Sequence, residues 1–158
     1  MSDLLSRPRR LYGLLAAAEM VTWAFLLAGM TATYLLDAGH LPVRVGGSLH
    51  GFVFLAYALV TLVVGVDQRW SGRDLVLGLA SAVVPFVTVP FERSAARRGL
   101  LGERWQLRDA GRSPSGPVEG LVAAAVGRPA LAGLLGVVGV GATFAVLLAL
   151  GPPTQWFA

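Results

Sequence analysis

Apolar positions in this chain seldom alternate with polar ones; they run on in stretches long enough to cross a bilayer. A helix needs about 20 apolar residues to span ~30 Å of hydrocarbon. Four stretches meet that demand, at residues 11–36, 43–66, 74–92 and 129–150. They predict an all-α integral membrane protein with four transmembrane helices. The loop 37–42 is short, so the first two helices are expected as antiparallel neighbours. The third stretch carries Pro85 and Pro90, which predicts a kinked helix whose lost backbone bonds are repaired by its neighbours. Between Glu92 and Arg128 polar positions return, and six arginines share the segment with glycine, serine and proline. Its first half, 94–109, sets Leu100, Leu101, Trp105 and Leu107 among arginines, which suits an amphipathic helix on the headgroups. Its second half reads as a linker. Pro129 fits a first helical turn, Gly151-Pro152-Pro153 ends the last helix, and Trp156 sits where an interfacial anchor is expected. Three regions follow: a core at 1–98, a basic segment at 99–128, and a glycine-rich helix with its tail at 129–158.

Composition agrees with a membrane solvent. Hydrophobic residues make up 55% of the 158 positions and charged residues 14%, against about 25% charged in soluble domains. Mean hydropathy is +0.67. Arg7, Arg9 and Arg10 precede a first stretch too long for a signal peptide, so it reads as a retained helix and the chain as a multi-pass protein of the cell membrane. All 13 basic residues are arginine, and no cysteine is present. Four crossings divide the arginines poorly: five lie on the side of the N-terminus and eight on the other, so the positive-inside rule is satisfied by neither orientation.

Two ionisable residues interrupt the apolar stretches, Glu19 and His50. Each costs free energy that packing does not recover, which makes it a functional candidate. Counted from the predicted helix starts, Glu19 lies ~12 Å from one face and His50 ~10 Å from the other. They are therefore expected not to touch. Glu92, at the end of the third stretch, is expected to pair with His50, while Arg69 or Arg73 neutralises Glu19. Gly47, His50, Phe54, Tyr57 and Thr61 recur at spacings of three and four and share one helix face. That face fits a helix interface in which His50 bonds a neighbour, or the wall of a site in which His50, Glu19, Tyr57 and Glu92 handle a proton or a ligand. Haem or metal ligation is the weakest of these readings, because the other histidine, His40, lies in the first loop; no cofactor and no metal are expected. No phosphate loop, nucleophile elbow or zinc motif is found, and no catalytic residue is assigned. Gly47, Gly51, Gly133, Gly136 and Gly139 are expected to let helices approach closely. Arg97, Arg98, Arg104 and Arg108 are expected to meet lipid headgroups rather than nucleic acid.

Order and spacing along residues 9–98 resemble the DUF3817 family of small integral membrane proteins. The resemblance is carried by Ala18-Glu19, by Met30 to Tyr34, and by Gly47-x-x-His50-Gly51 with Phe54 and Tyr57. Trp70, Pro85-Phe86 and Glu92-Arg93 complete it. The chain departs from the family pattern at Met20, Thr33 and Val87, where the family has glycine, lysine and glycine. The resemblance implies a membrane protein and carries no established activity. On this footing the chain is expected to be an accessory or scaffold subunit that packs against other membrane proteins or itself. The alternative is a proton-linked carrier or channel that uses His50 and Glu19.

Overall fold

The computed structural model describes residues 2–150, with side chains from Leu4 onward; the expected anchor Trp156 and the stop at Gly151-Pro152-Pro153 lie outside the described residues. All regular structure among the described residues is helical: α1 (Ser2–Leu5), α2 (Pro8–Tyr34), α3 (Leu41–Asp67), α4 (Gly72–Val83), α5 (Thr88–Arg97), α6 (Pro117–Gly127) and α7 (Pro129–Leu150). Three of them, α2, α3 and α7, are long and apolar enough to cross a membrane, and α6 is a shorter apolar helix. The chain is an all-helical membrane protein. Prolines open α2, α3, α6 and α7 in their first turns, where a missing N–H breaks no helical bond.

Helices α2 and α3, each of 27 residues, form a hairpin closed by residues 35–40. They approach closely at Gly29 and Gly46. A Cβ on Gly29 would stand 2.5 Å from the Pro42 carbonyl oxygen, and one on Gly46 would stand 2.6 Å from that of Phe25. Only glycine allows this contact. The glycines singled out in the sequence pack more loosely: Gly47 faces the Leu26 side chain, and Gly51 faces the ring of Phe144 on α7.

The third stretch does not form the single kinked helix expected over 74–92. Ser71 caps α4, accepting from the Asp74 amide at 3.1 Å and donating to its carboxylate at 2.7 Å. Helix α4 stops at Val83 because the residue before Pro85 is forced out of the helical region, and Val84 is extended at φ −96, ψ 123. Phe86 then takes φ +66 and turns the chain. Helix α5 starts at Thr88, and Pro90 falls in its first turn, where its missing N–H costs nothing. The two prolines therefore act oppositely, one as a stop and one as a start. Helix α5 returns to the end from which α4 set out. Arg98 bridges to Asp74 at 2.6 Å, and the Trp70 indole donates to the Leu100 carbonyl at 2.7 Å.

Residues 98–116 are irregular, which corrects the amphipathic helix expected over 94–109; only residues 94–97 are helical, as the end of α5. Leu101, Trp105 and Leu107 turn inward, cover the bundle and are buried with Val122 and Val126 of α6. Buried Asp67, at the end of α3, accepts the amides of Gln106 and Leu107, both at 3.0 Å, and the Trp105 indole donates to the Leu5 carbonyl at 2.9 Å. Helix α7 leaves from this same end and runs antiparallel to α3: Gly133 lies against Leu5, Gly136 against Leu59, and Phe144 against Gly51. A Cβ on Gly139 would meet nothing within 4 Å among the described residues.

Candidate functional site

A polar column lies between α2 and α3. On α2, Tyr12, Ala16, Glu19 and Trp23 recur at helical spacing; on α3, His50, Phe54, Tyr57 and Thr61 do so. Glu19 is fully buried, and its Oε1 lies 3.6 Å from Nδ1 of His50, whose side chain is 12% exposed. The other carboxylate oxygen, Oε2, accepts from the Thr22 hydroxyl at 3.3 Å. Among the described residues, neither Glu19 Oε1 nor His50 Nδ1 has a hydrogen-bond partner. The Trp23 ring packs on the imidazole at 4.3 Å between centroids, and its indole donates to the Ala82 carbonyl at 3.0 Å. Trp23 thus ties the pair to the end of α4.

The contact overturns the expected separation of Glu19 from His50. Helix α3 begins at Leu41 and α2 ends at Tyr34, so both depths are properly counted from the shared hairpin. The facing pairs Gly29–Pro42 and Gly46–Phe25 set the register, and by it the two residues stand about two to three positions from level, ~4 Å along the axis, which two long side chains span. Glu92 is not the partner of His50. It lies beside Gly13 near the start of α2, 3.7 Å from where a Cβ would stand, because the chain turns back at Pro85-Phe86. Arg69 pairs with Glu119 at 3.8 Å rather than with Glu19, and Arg73 is exposed.

Toward the other end of the hairpin the column continues as hydroxyls. Tyr12 and Tyr57 share a hydrogen bond of 2.6 Å, and Tyr57 and Ser81 one of 3.0 Å. Thr61 donates to the Tyr57 carbonyl at 2.8 Å, with the Tyr12 hydroxyl 3.4 Å away. All four side chains are buried. Tyr57 and His50 were legible from periodicity on α3. Tyr12, Trp23 and Ser81 were not singled out, because a tyrosine, a tryptophan or a serine in an apolar helix carries no signal until a partner is seen across the interface.

Several charged groups outside the helical hairpin are arranged in pairs. A hydrogen bond from Arg108 holds the Asp109 carboxyl below its ordinary range, and bonds from the Ser115 amide and hydroxyl do the same for Glu119. Among the candidate headgroup residues, Arg98 is paired with Asp74 and Arg108 with Asp109, while Arg97 and Arg104 are exposed. No cluster of three or more histidine or acidic side chains placed to hold a metal occurs among the described residues.

Against known proteins, a family model described as a domain of unknown function, DUF3817, matches residues 9–97. The chain belongs to the DUF3817 family. A curated Streptomyces coelicolor protein, described only as a membrane protein, is 41% identical over 97 residues. The match takes in 61% of this chain and 12% of that relative, so the chain spans a small part of the relative's length. No solved structure matches. The DUF3817 match ends on the last residue of α5, so the family unit holds the α2–α3 hairpin, the folded-back α4–α5 pair and the whole polar column. Helices α6 and α7 lie beyond it.

Proposed function

We propose that this DUF3817 protein takes up and releases a proton at the Glu19–His50 pair, and that it serves as a proton-linked carrier or channel for a small ligand in the plasma membrane. One observation carries the reading: two ionisable side chains, placed inside membrane-spanning helices, face each other at 3.6 Å through atoms that hydrogen-bond nothing else among the described residues. Polar groups in hydrocarbon are ordinarily satisfied. A proton placed between these atoms gives either an ion pair or a neutral pair, and a second proton leaves a lone imidazolium. Each state changes the local charge, and Trp23 would transmit the change to α4. Reconstituted into liposomes, the wild-type chain is expected to carry a pH-driven proton flux that falls about a hundredfold in Glu19→Gln and His50→Phe. Infrared spectra are expected to show a titrating carboxyl band that Glu19→Gln removes. If both variants keep the flux and the band is unchanged, the reading fails.

A second reading, an accessory or scaffold subunit, draws on α7 and on the relative. A Cβ on Gly139 or Gly141 of α7 would meet nothing within 4 Å among the described residues, which leaves small residues open to a further helix. The Streptomyces coelicolor relative carries the matching stretch within a much longer chain. Purification from native membranes with a stoichiometric partner would favour this reading; purification alone would count against it.

A further inference from the structure

Helices α2, α5 and α7 and the loop after α3 bring the arginines together. The start of α2, the end of α3, the start of α4, the end of α5 and the start of α7 all lie at one end. Arg9 bridges to Glu103 at 2.8 Å, Arg98 to Asp74, and Arg112 to Glu119 at 3.2 Å; Arg108 reaches the Val126 and Ser6 carbonyls at 3.5 Å. Of the 13 arginines, only Arg44 belongs to the opposite end, in the first turn of α3. The five-to-eight division expected from four crossings becomes twelve to one. The conflict in the sequence came from treating 74–92 as a crossing.

We infer that α4 and α5 enter and leave the membrane through the same face, and that this face rests on the anionic phospholipid headgroups of the cytoplasmic leaflet, held by Arg93 and Arg97. An excess of arginine next to membrane helices marks the cytoplasmic side, where anionic lipid gathers basic groups. Arg9, Arg69, Arg98, Arg108 and Arg112 on the face are already paired with acidic side chains. Arg93 and Arg97 are set apart by their placement: one turn apart on α5 and exposed, they have no acidic partner among the described residues and share one groove. With Arg9, Glu92 and Ala96 they line a groove of about 320 Å³. Arg9 is committed to Glu103, and Glu92 sets one carboxylate against the guanidinium groups of Arg93 and Arg97, so the groove keeps a net positive charge. A phosphodiester fits two neighbouring guanidinium forks. This assignment does not depend on the proton reading, since its residues lie outside the Glu19–His50 pair.

The absence of cysteine makes the test direct. Single variants Arg73→Cys, Arg97→Cys and Ala38→Cys of the full chain are exposed to a membrane-impermeant maleimide, on intact cells and on inverted vesicles. Positions 73 and 97 are expected to label only in inverted vesicles and position 38 only on cells. Labelling of 97 together with 38, or from neither side, shows that α4–α5 is not folded back. Labelling of 73 and 97 from outside reverses the orientation. For the headgroup site, the purified chain is reconstituted with phosphatidylglycerol or phosphatidylcholine, and retained lipid is counted by native mass spectrometry. Preference for phosphatidylglycerol is expected to fall about tenfold in Arg93→Gln/Arg97→Gln and to hold in Arg44→Gln. An unchanged preference in the double variant, or an equal fall in Arg44→Gln, overturns the site.

Discussion

At the scale of single residues, glycines that look alike in sequence differ in what they touch. Gly29 and Gly46 face backbone, which cannot move aside, whereas Gly51 faces the edge of a ring and Gly139 faces nothing. Gly46→Ala is therefore expected to cost about 2–3 kcal/mol by forcing the α2–α3 hairpin open. Gly139→Ala should be neutral or stabilising by up to about 1 kcal/mol. Unfolding of both variants in detergent, followed by circular dichroism against a denaturant series, separates the two outcomes. The same lesson holds for polar residues. His50 was visible as an anomaly in an apolar run, but its partner was not, since the choice between Glu19 and Glu92 rests on helix register and on the path of the third stretch.

At the scale of elements, Pro85 carries the same local signal whether a helix kinks or reverses. The reversal is decided by what receives α5: Thr88 donates to the Ala16 carbonyl at 2.8 Å, and Ala95 is buried in the core. Phe86 holds φ +66 at the turn, a conformation that is strained for a bulky side chain. Phe86→Gly is expected to stabilise the fold by about 1 kcal/mol, set against the lost contacts of a ring that is 44% exposed. A fall in stability would show that the ring's packing outweighs the strain. The segment after α5 behaves differently, because it is tied by charge. Asp109 and Glu119 both titrate below their ordinary range. Their contribution is thus complete above the unfolded carboxylate range and is lost as pH falls through the depressed values. Amide exchange over 105–119 is expected to be unchanged between pH 7 and 5, after correction for intrinsic rates, and to quicken only below about pH 4. Quickening between pH 7 and 6 would assign the tie to some other group.

At the scale of the molecule, one buried carboxylate ties the DUF3817 unit to the loop beyond it, beside the apolar cover and the packing of α7. Asp67 accepts two backbone amides from residues 106 and 107 and the Gln68 side-chain amide at 2.6 Å. Asp67→Ala would strand buried donors, at a cost of about 3 kcal/mol or more. It should also release the cover formed by Leu101, Trp105 and Leu107, seen as new protease cleavage between 98 and 116. Intact protein under conditions that cleave other loops would mean that the apolar cover holds without Asp67.

The sequence by itself determined the solvent and the scaffold. Uncharged runs of this length have no stable place outside a bilayer, and they located α2, α3 and α7 to within a few residues. Periodicity also placed His50, Tyr57 and Thr61 on one face, because that face is a property of one helix alone. Only the tertiary structure decided what those residues meet. Partners of Glu19, the return of α5 and the gathering of twelve arginines at one end depend on register between helices and on the direction taken after Pro85. Those are set by contacts between residues far apart in the chain, such as Gly29 with Pro42, Thr88 with Ala16 and Trp105 with Leu5. No local pattern encodes such contacts, since each half is unremarkable until the other is beside it.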